Sequence, residues 1–134
     1  MKFWAMVVVA ACLLSTAGCE NTGGKLAVSG AVSLQGEPLS KGTITFLLPD
    51  AQTPTAEALI ENGKYSLPAV SGLLPGKYRV RISAIEEFPI TPEEYAAGKQ
   101  PPPNRERIPA KYNTDSQEMV EVAKGQSQFD FKIE

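Results

Sequence analysis

Histidine, the side chain best suited to moving protons near neutral pH, is absent from all 134 residues. Its absence removes Ser-His-Asp and Cys-His catalysis, and with them the common zinc sites built on imidazole. Two carboxylate pairs, Glu86-Glu87 and Glu93-Glu94, have the right chemistry for acid and base work. Sequence neighbours usually point apart, so these pairs read as solvated surface. No catalytic residue, metal or cofactor is expected, and the chain is read as a non-enzyme. Its charge, 13 Lys and Arg against 15 Asp and Glu for a net of −2, also argues against a nucleic-acid partner, which needs a clustered basic face.

The remaining chemistry-bearing group is Cys19. Lys2 and the free amino group are followed by an apolar run over 3–14. A helix needs about 20 residues to cross a bilayer, so this run has the length of a signal-peptide core. Small residues then lead to Ala17-Gly18-Cys19, which resembles the lipobox of bacterial lipoprotein precursors, with Thr16 where that group usually carries an aliphatic residue. The resemblance implies cleavage after Gly18 and acylation of Cys19. That predicts an exported protein, lipid-anchored on the periplasmic side of the inner or outer membrane. Several acyl chains, at about 0.8 kcal/mol per buried methylene, make such attachment effectively permanent. Cys12 leaves with the signal, and the mature chain keeps no free thiol in an oxidising compartment.

Removal of 1–18 leaves 116 of the 134 residues, enough for one domain. Only Lys2 is lost among the charged residues, which leaves 12 basic against 15 acidic groups. Residues 19–25 are polar and glycine-containing and read as a lipidated tether. A single β domain is expected over 26–134.

Within it, Leu26, Val28, Gly30, Val32 and Leu34 alternate with small or polar residues, the period of two of a strand with one buried face. Similar segments occur over 43–48, 56–60, 64–67, 77–84, 119–122 and 128–133. Asn62-Gly63 joins two of them as the dipeptide best suited to a two-residue hairpin. Seven short strands with one apolar face each predict an all-β, seven-stranded antiparallel β-sandwich, since packing two sheets together removes every such face from water. The basic row Lys77, Arg79 and Arg81 would protect its strand if that strand were outermost.

Residues 85–113 interrupt the pattern with six prolines and exceed an ordinary connection. Inside this insertion, Thr91-Pro92-Glu93-Glu94 has the form of a capped helix start, and Gly98 ends the helix after about two turns. Pro101, Pro102 and Pro103 then carry the chain back in extended form.

Gly30-Ala31-Val32, Gly36-Glu37-Pro38-Leu39, Gly42-Thr43-Ile44-Thr45-Phe46, Asn62-Gly63-Lys64-Tyr65, Pro75-Gly76-Lys77-Tyr78-Arg79-Val80 and Ile108-Pro109-Ala110-Lys111-Tyr112-Asn113 together resemble the carboxypeptidase regulatory-like, or transthyretin-like, domains of small lipoproteins in planctomycete-type bacteria. The resemblance spans nearly the whole mature chain and implies a transthyretin-like or Ig-like fold with an accessory, scaffolding or binding role. Catalytic proteins of related fold, the hydroxyisourate hydrolases and intradiol dioxygenases, rely on histidines that this chain lacks. Pilin-like Ig domains form Lys-to-Asn or Lys-to-Asp isopeptide bonds beside a buried acid. Lys25 and Asp130 lie near terminal strands, but no buried glutamate is marked between them.

Candidate interaction residues are therefore the aromatic and basic groups in the insertion: Phe88, Tyr95, Arg105, Arg107, Lys111 and Tyr112. Long loops on a rigid β scaffold are where binding sites concentrate. The competing role for Phe88, Tyr95 and Tyr112 is packing. The expected function is a membrane-anchored, non-enzymatic envelope module that contacts an envelope protein or the cell wall. The alternative is a periplasmic carrier of a small or carbohydrate ligand. The first calls for exposed Phe88 and Tyr95, the second for a deep pocket with converging polar groups.

Overall fold

The computed structural model describes residues 22–134. The expected signal segment 1–18, the lipidation site Cys19 and the first residues of the tether lie outside them. Thr22 to Lys25 close a turn in which the Lys25 N–H donates to the Thr22 carbonyl at 3.1 Å.

The described residues are mostly β, in ten strand segments. They are β1 (Val28–Leu34), β2 (Glu37–Pro38), β3 (Lys41–Leu47), β4 (Ala56–Glu61), β5 (Lys64–Leu67), β6 (Gly76–Ser83), β7 (Ile85–Glu86), β8 (Arg105–Glu106), β9 (Met119–Val122) and β10 (Phe131–Ile133). The only α-helix among the described residues is α1, Pro92–Ala96. The seven alternating segments each contain a strand; the count of seven omits β2, β7 and β8, which have two residues each and so no periodicity to read.

The main sheet follows the path β10-β1-β5-β4-β3-β6-β9, with β2 on β1. It is one continuous curled sheet. Its pairings are antiparallel except β1 with β10, which run parallel with Val32 opposite Phe131, a departure from the expected all-antiparallel arrangement. The expectation for Lys77, Arg79 and Arg81 also needs correction. Strand β6 lies between β3 and β9, so this row protects no sheet edge. Arg79 and Arg81 instead reach over the outer face to hold the loop after β3, donating to the Ala51 carbonyl at 3.0 Å and to Gln52 Oε1 at 3.3 Å.

Alternation explains the core. Inward residues of β1, β3, β4, β5, β6, β9 and β10 form one cluster that includes Val28, Ile44, Phe46, Ile60, Val80, Val122 and Ile133. Each such side chain contributes roughly 1.5–3 kcal/mol when fully buried. Phe46 and Tyr65, two strands apart in the sheet, approach across the interior with ring centroids 6.2 Å apart. The Asn62-Gly63 turn has the expected two positive φ values, 51° and 76°. It is tied down as well: Asn62 and Gly63 donate to the carbonyls of Ser40 and Leu39 at 3.0 and 2.7 Å.

Register fixes two poles. Val28 pairs with Leu67, and Phe46 pairs with both Ala56 and Val80, so the chain enters β1 at the pole where β5 ends and β4 and β6 begin. Leu26 bridges Leu73 at that same pole. The ends of β1 and β6, the start of β3 and the Asn62-Gly63 turn lie at the other pole. The eight residues of β6 separate the two by roughly 25 Å, at about 3.3 Å per residue. The insertion leaves from the end of β6, opposite the entry of the N-terminal segment.

Candidate functional site

The insertion is a ribbon with a capped tip. Ile85 pairs with Glu106 and Glu86 with Arg105, which brings the limbs of the 85–113 segment together as β7 and β8. At the tip, the Glu94 N–H donates to Thr91 Oγ1 at 3.2 Å, and Glu94 Oε2 accepts from the Thr91 N–H at 3.0 Å, the reciprocal capping box. Lys99 Nζ lies 3.3 Å from Glu94 Oε1. The Thr91 backbone donor, and then Lys99, hold the Glu94 carboxyl below its ordinary value. Helix α1 has five residues and is followed by Gly98 at φ +82°, shorter than the two turns expected but ended at the expected glycine.

The base of the insertion is built around Glu106. Its Oε2 accepts from Ser83 Oγ at 2.6 Å, and its Oε1 from the N–H groups of Ala84 and Ile108 at 2.8 and 3.0 Å. Partial burial raises the Glu106 pKa, but the donors Ser83, Ala84, Ile108 and Asn113 outweigh it and hold the carboxyl below the ordinary 4.5. The Arg107 N–H donates to the Ala84 carbonyl at 2.9 Å. Ile108, 3% exposed, enters the main core, so the returning limb is part of the domain rather than a detachable loop. Ser116 Oγ donates to the Val80 carbonyl, and the Val80 N–H donates to the Glu118 carbonyl at 2.8 Å, which returns the chain to β9.

The six candidate residues fall into three groups. Phe88, 36% exposed, and Tyr95, 72% exposed, belong to the outer part of the insertion. The ring contacts among the described residues join Phe46, Tyr65 and Phe131 in the core and include neither of them. Arg105 and Arg107 flank Glu106 on the returning limb, and both are exposed. Lys111 and Tyr112 sit in a short 3-10 turn, with Lys111 Nζ 4.9 Å from the Tyr112 ring centroid. Tyr112 is half-buried against the core, which gives it the packing role. Lys25 is exposed, and Asp130 Oδ1 accepts from the Ala31 N–H at 2.8 Å.

The interior between the strands holds the buried apolar cluster. An open cleft of about 860 Å³ lies outside it, between the diverging parts of β4 and β5. Tyr65 closes its floor, donating to the Phe129 carbonyl at 2.7 Å. Burial first, and the Asp130 carboxylate second, push the Tyr65 phenol above its ordinary value. The described residues contain no cluster of three or more metal-ligating side chains and no helix long and apolar enough to cross a membrane.

No family model and no curated protein matches this chain. Its own geometry therefore carries the functional reading. Glu106 carries no mark in the sequence, because its structural role comes from three donors up to 23 residues away. The cleft is likewise unmarked, because divergence of paired strands leaves no trace in residue type.

Proposed function

We propose that this chain is an exported, lipid-anchored envelope module of carboxypeptidase regulatory-like type that contacts a protein or cell-wall partner through its insertion and catalyses no reaction. In this reading Cys19 carries the acyl anchor. The curled sheet is a transthyretin-like sandwich whose leaves are β10-β1-β5 and β4-β3-β6-β9.

The observation that carries the proposal is polarity. The N-terminal segment enters β1 at one pole, while the insertion, with Tyr95 exposed, leaves from the end of β6 at the other. An anchor at the first pole presents the second to whatever faces the membrane. The ribbon pairing of β7 with β8 and the capped tip hold Phe88 and Tyr95 on an ordered support, which lowers the entropic cost of binding. A photo-crosslinking residue at position 95 in the native envelope tests the reading: it should trap a discrete partner, and the same residue at position 70, on the exposed Val70, should not.

A further inference from the structure

We infer that the cleft between β4 and β5 is a second binding surface, which accepts an extended, basic segment of another protein as an added strand. This goes beyond the contact proposed for the insertion and uses none of its residues.

The two strands form a hairpin that pairs only next to its turn. Glu61 faces Lys64 and Ile60 faces Tyr65, and the ladder then stops. On their far sides, pairing continues: β4 follows β3 from Glu61 to Ala56, and β5 follows β1 to Leu67. Residues Ala56 to Leu59 of β4 therefore have a strand neighbour on one side alone among the described residues. Backbone polar groups alternate along a strand. The tight turn directs the amide and carbonyl of Glu61 toward β5, and the Ile60–Tyr65 pairing takes up the Leu59 carbonyl and the Ser66 amide, so the Leu59 amide, both backbone groups of Glu57 and the Ser66 carbonyl are the ones that point into the cleft. An inserted strand would find ladder partners on both sides, whereas the outer edges at β9 and β10 offer one.

The side chains say what kind of strand fits. Glu57, Leu59 and Glu61 share the outer face of β4, and Leu59 is 68% exposed in the middle of the row. Glu57, Glu61 and Asp130 line the cleft against a single lysine, Lys64. Three carboxylates facing one ammonium favour a partner with lysine or arginine at alternate positions, while Leu59 offers an apolar contact to the residue placed beside it. Backbone pairing supplies affinity, and alternate side chains supply specificity, as in strand addition generally.

The test uses the full-length protein in detergent micelles and a six-residue peptide alternating lysine and valine, blocked at both ends. Hydrogen exchange at the Glu57 and Leu59 amides should slow at least tenfold at saturating peptide, and raising the salt from low to near-molar should weaken binding about tenfold or more. The double variant Glu57→Lys, Glu61→Lys should lose this binding and gain binding to the matching glutamate-valine peptide. Should that variant fail to fold, the salt dependence and peptide selectivity of the unaltered protein decide the matter. The proposal is overturned if no protection appears, if a peptide N-methylated at alternate positions protects equally, or if the glutamate-valine peptide binds the unaltered protein as well. Protection that grows with protein concentration without peptide would also overturn it, since the occupant would then be a second copy.

Discussion

Gly30→Ala is expected to loosen the C-terminal strand from the rest of the domain. A Cβ at position 30 would overlap the Phe129 carbonyl oxygen and come within 2.7 Å of its carbon and 2.9 Å of Tyr65 Oη. Two of these three atoms are backbone, and the third is the hydroxyl that donates to that same carbonyl. No flexible side chain can yield, so the segment before β10 must move. Overpacking of this kind costs about 1–3 kcal/mol, and loss of the Tyr65 hydrogen bond adds about 1 kcal/mol. The sum, about 2–4 kcal/mol, corresponds to a fall in Tm of roughly 8–16 °C for a domain of this size. Thermal melts followed by circular dichroism read this directly. Tyr65→Phe alone should cost about 1 kcal/mol, and the double variant should cost less than the sum, because Gly30→Ala already displaces the carbonyl that Tyr65 serves. A Tm within about 2 °C of the parent for Gly30→Ala would refute the close approach of β1 to the Phe129 carbonyl.

Gly63→Val should destabilise by about 2–4 kcal/mol, combining a left-handed φ of 76° with a Cβ only 2.5 Å from Pro38 Cβ; an unchanged urea midpoint would argue against the packed turn. Glu106→Gln should cost about 1–2 kcal/mol, as partial exposure tempers the value of its charged hydrogen bonds. Because the folded-state pKa of Glu106 lies below 4.5, its contribution is full above that pH and disappears as pH falls through the lower folded value. The variant and parent should therefore converge in stability on acidification, and a gap that persists in acid would contradict the assignment. Cys19→Ser should move the protein from the membrane pellet to the soluble fraction; continued tight membrane association would remove the lipoprotein reading.

Local features were legible in the sequence because they depend on neighbours. Asn62-Gly63 announces its turn, Thr91 to Glu94 announce the helix cap, and the alternation from Leu26 to Leu34 marks which side chains β1 buries. Relations between distant segments were not legible. Nothing in Lys77, Arg79 and Arg81 reveals that β9 covers the flank of β6, because a basic row suits an edge and an outer face equally. The parallel pairing of β10 with β1 depends on where a non-local connection returns, and the two residues each in β7 and β8 give no period. At the candidate site, Phe88 and Tyr95 could be assigned to the insertion from sequence. The half-buried placement of Tyr112 and the donors around Glu106 required the chain to be folded.

The most direct test of the central claim replaces 88–103 with a short Gly/Ser linker in the full-length chain and follows stability together with recovery, in the native envelope, of the partner trapped from position 95, now by amine-reactive crosslinking through lysines outside the replaced segment. This change keeps β7, β8, Glu106 and Ile108, and loop closure depends only weakly on length, so the β signal and cooperative melting should persist. The account predicts that the crosslinked partner disappears while the fold remains. A folded variant that retains its partner would contradict it.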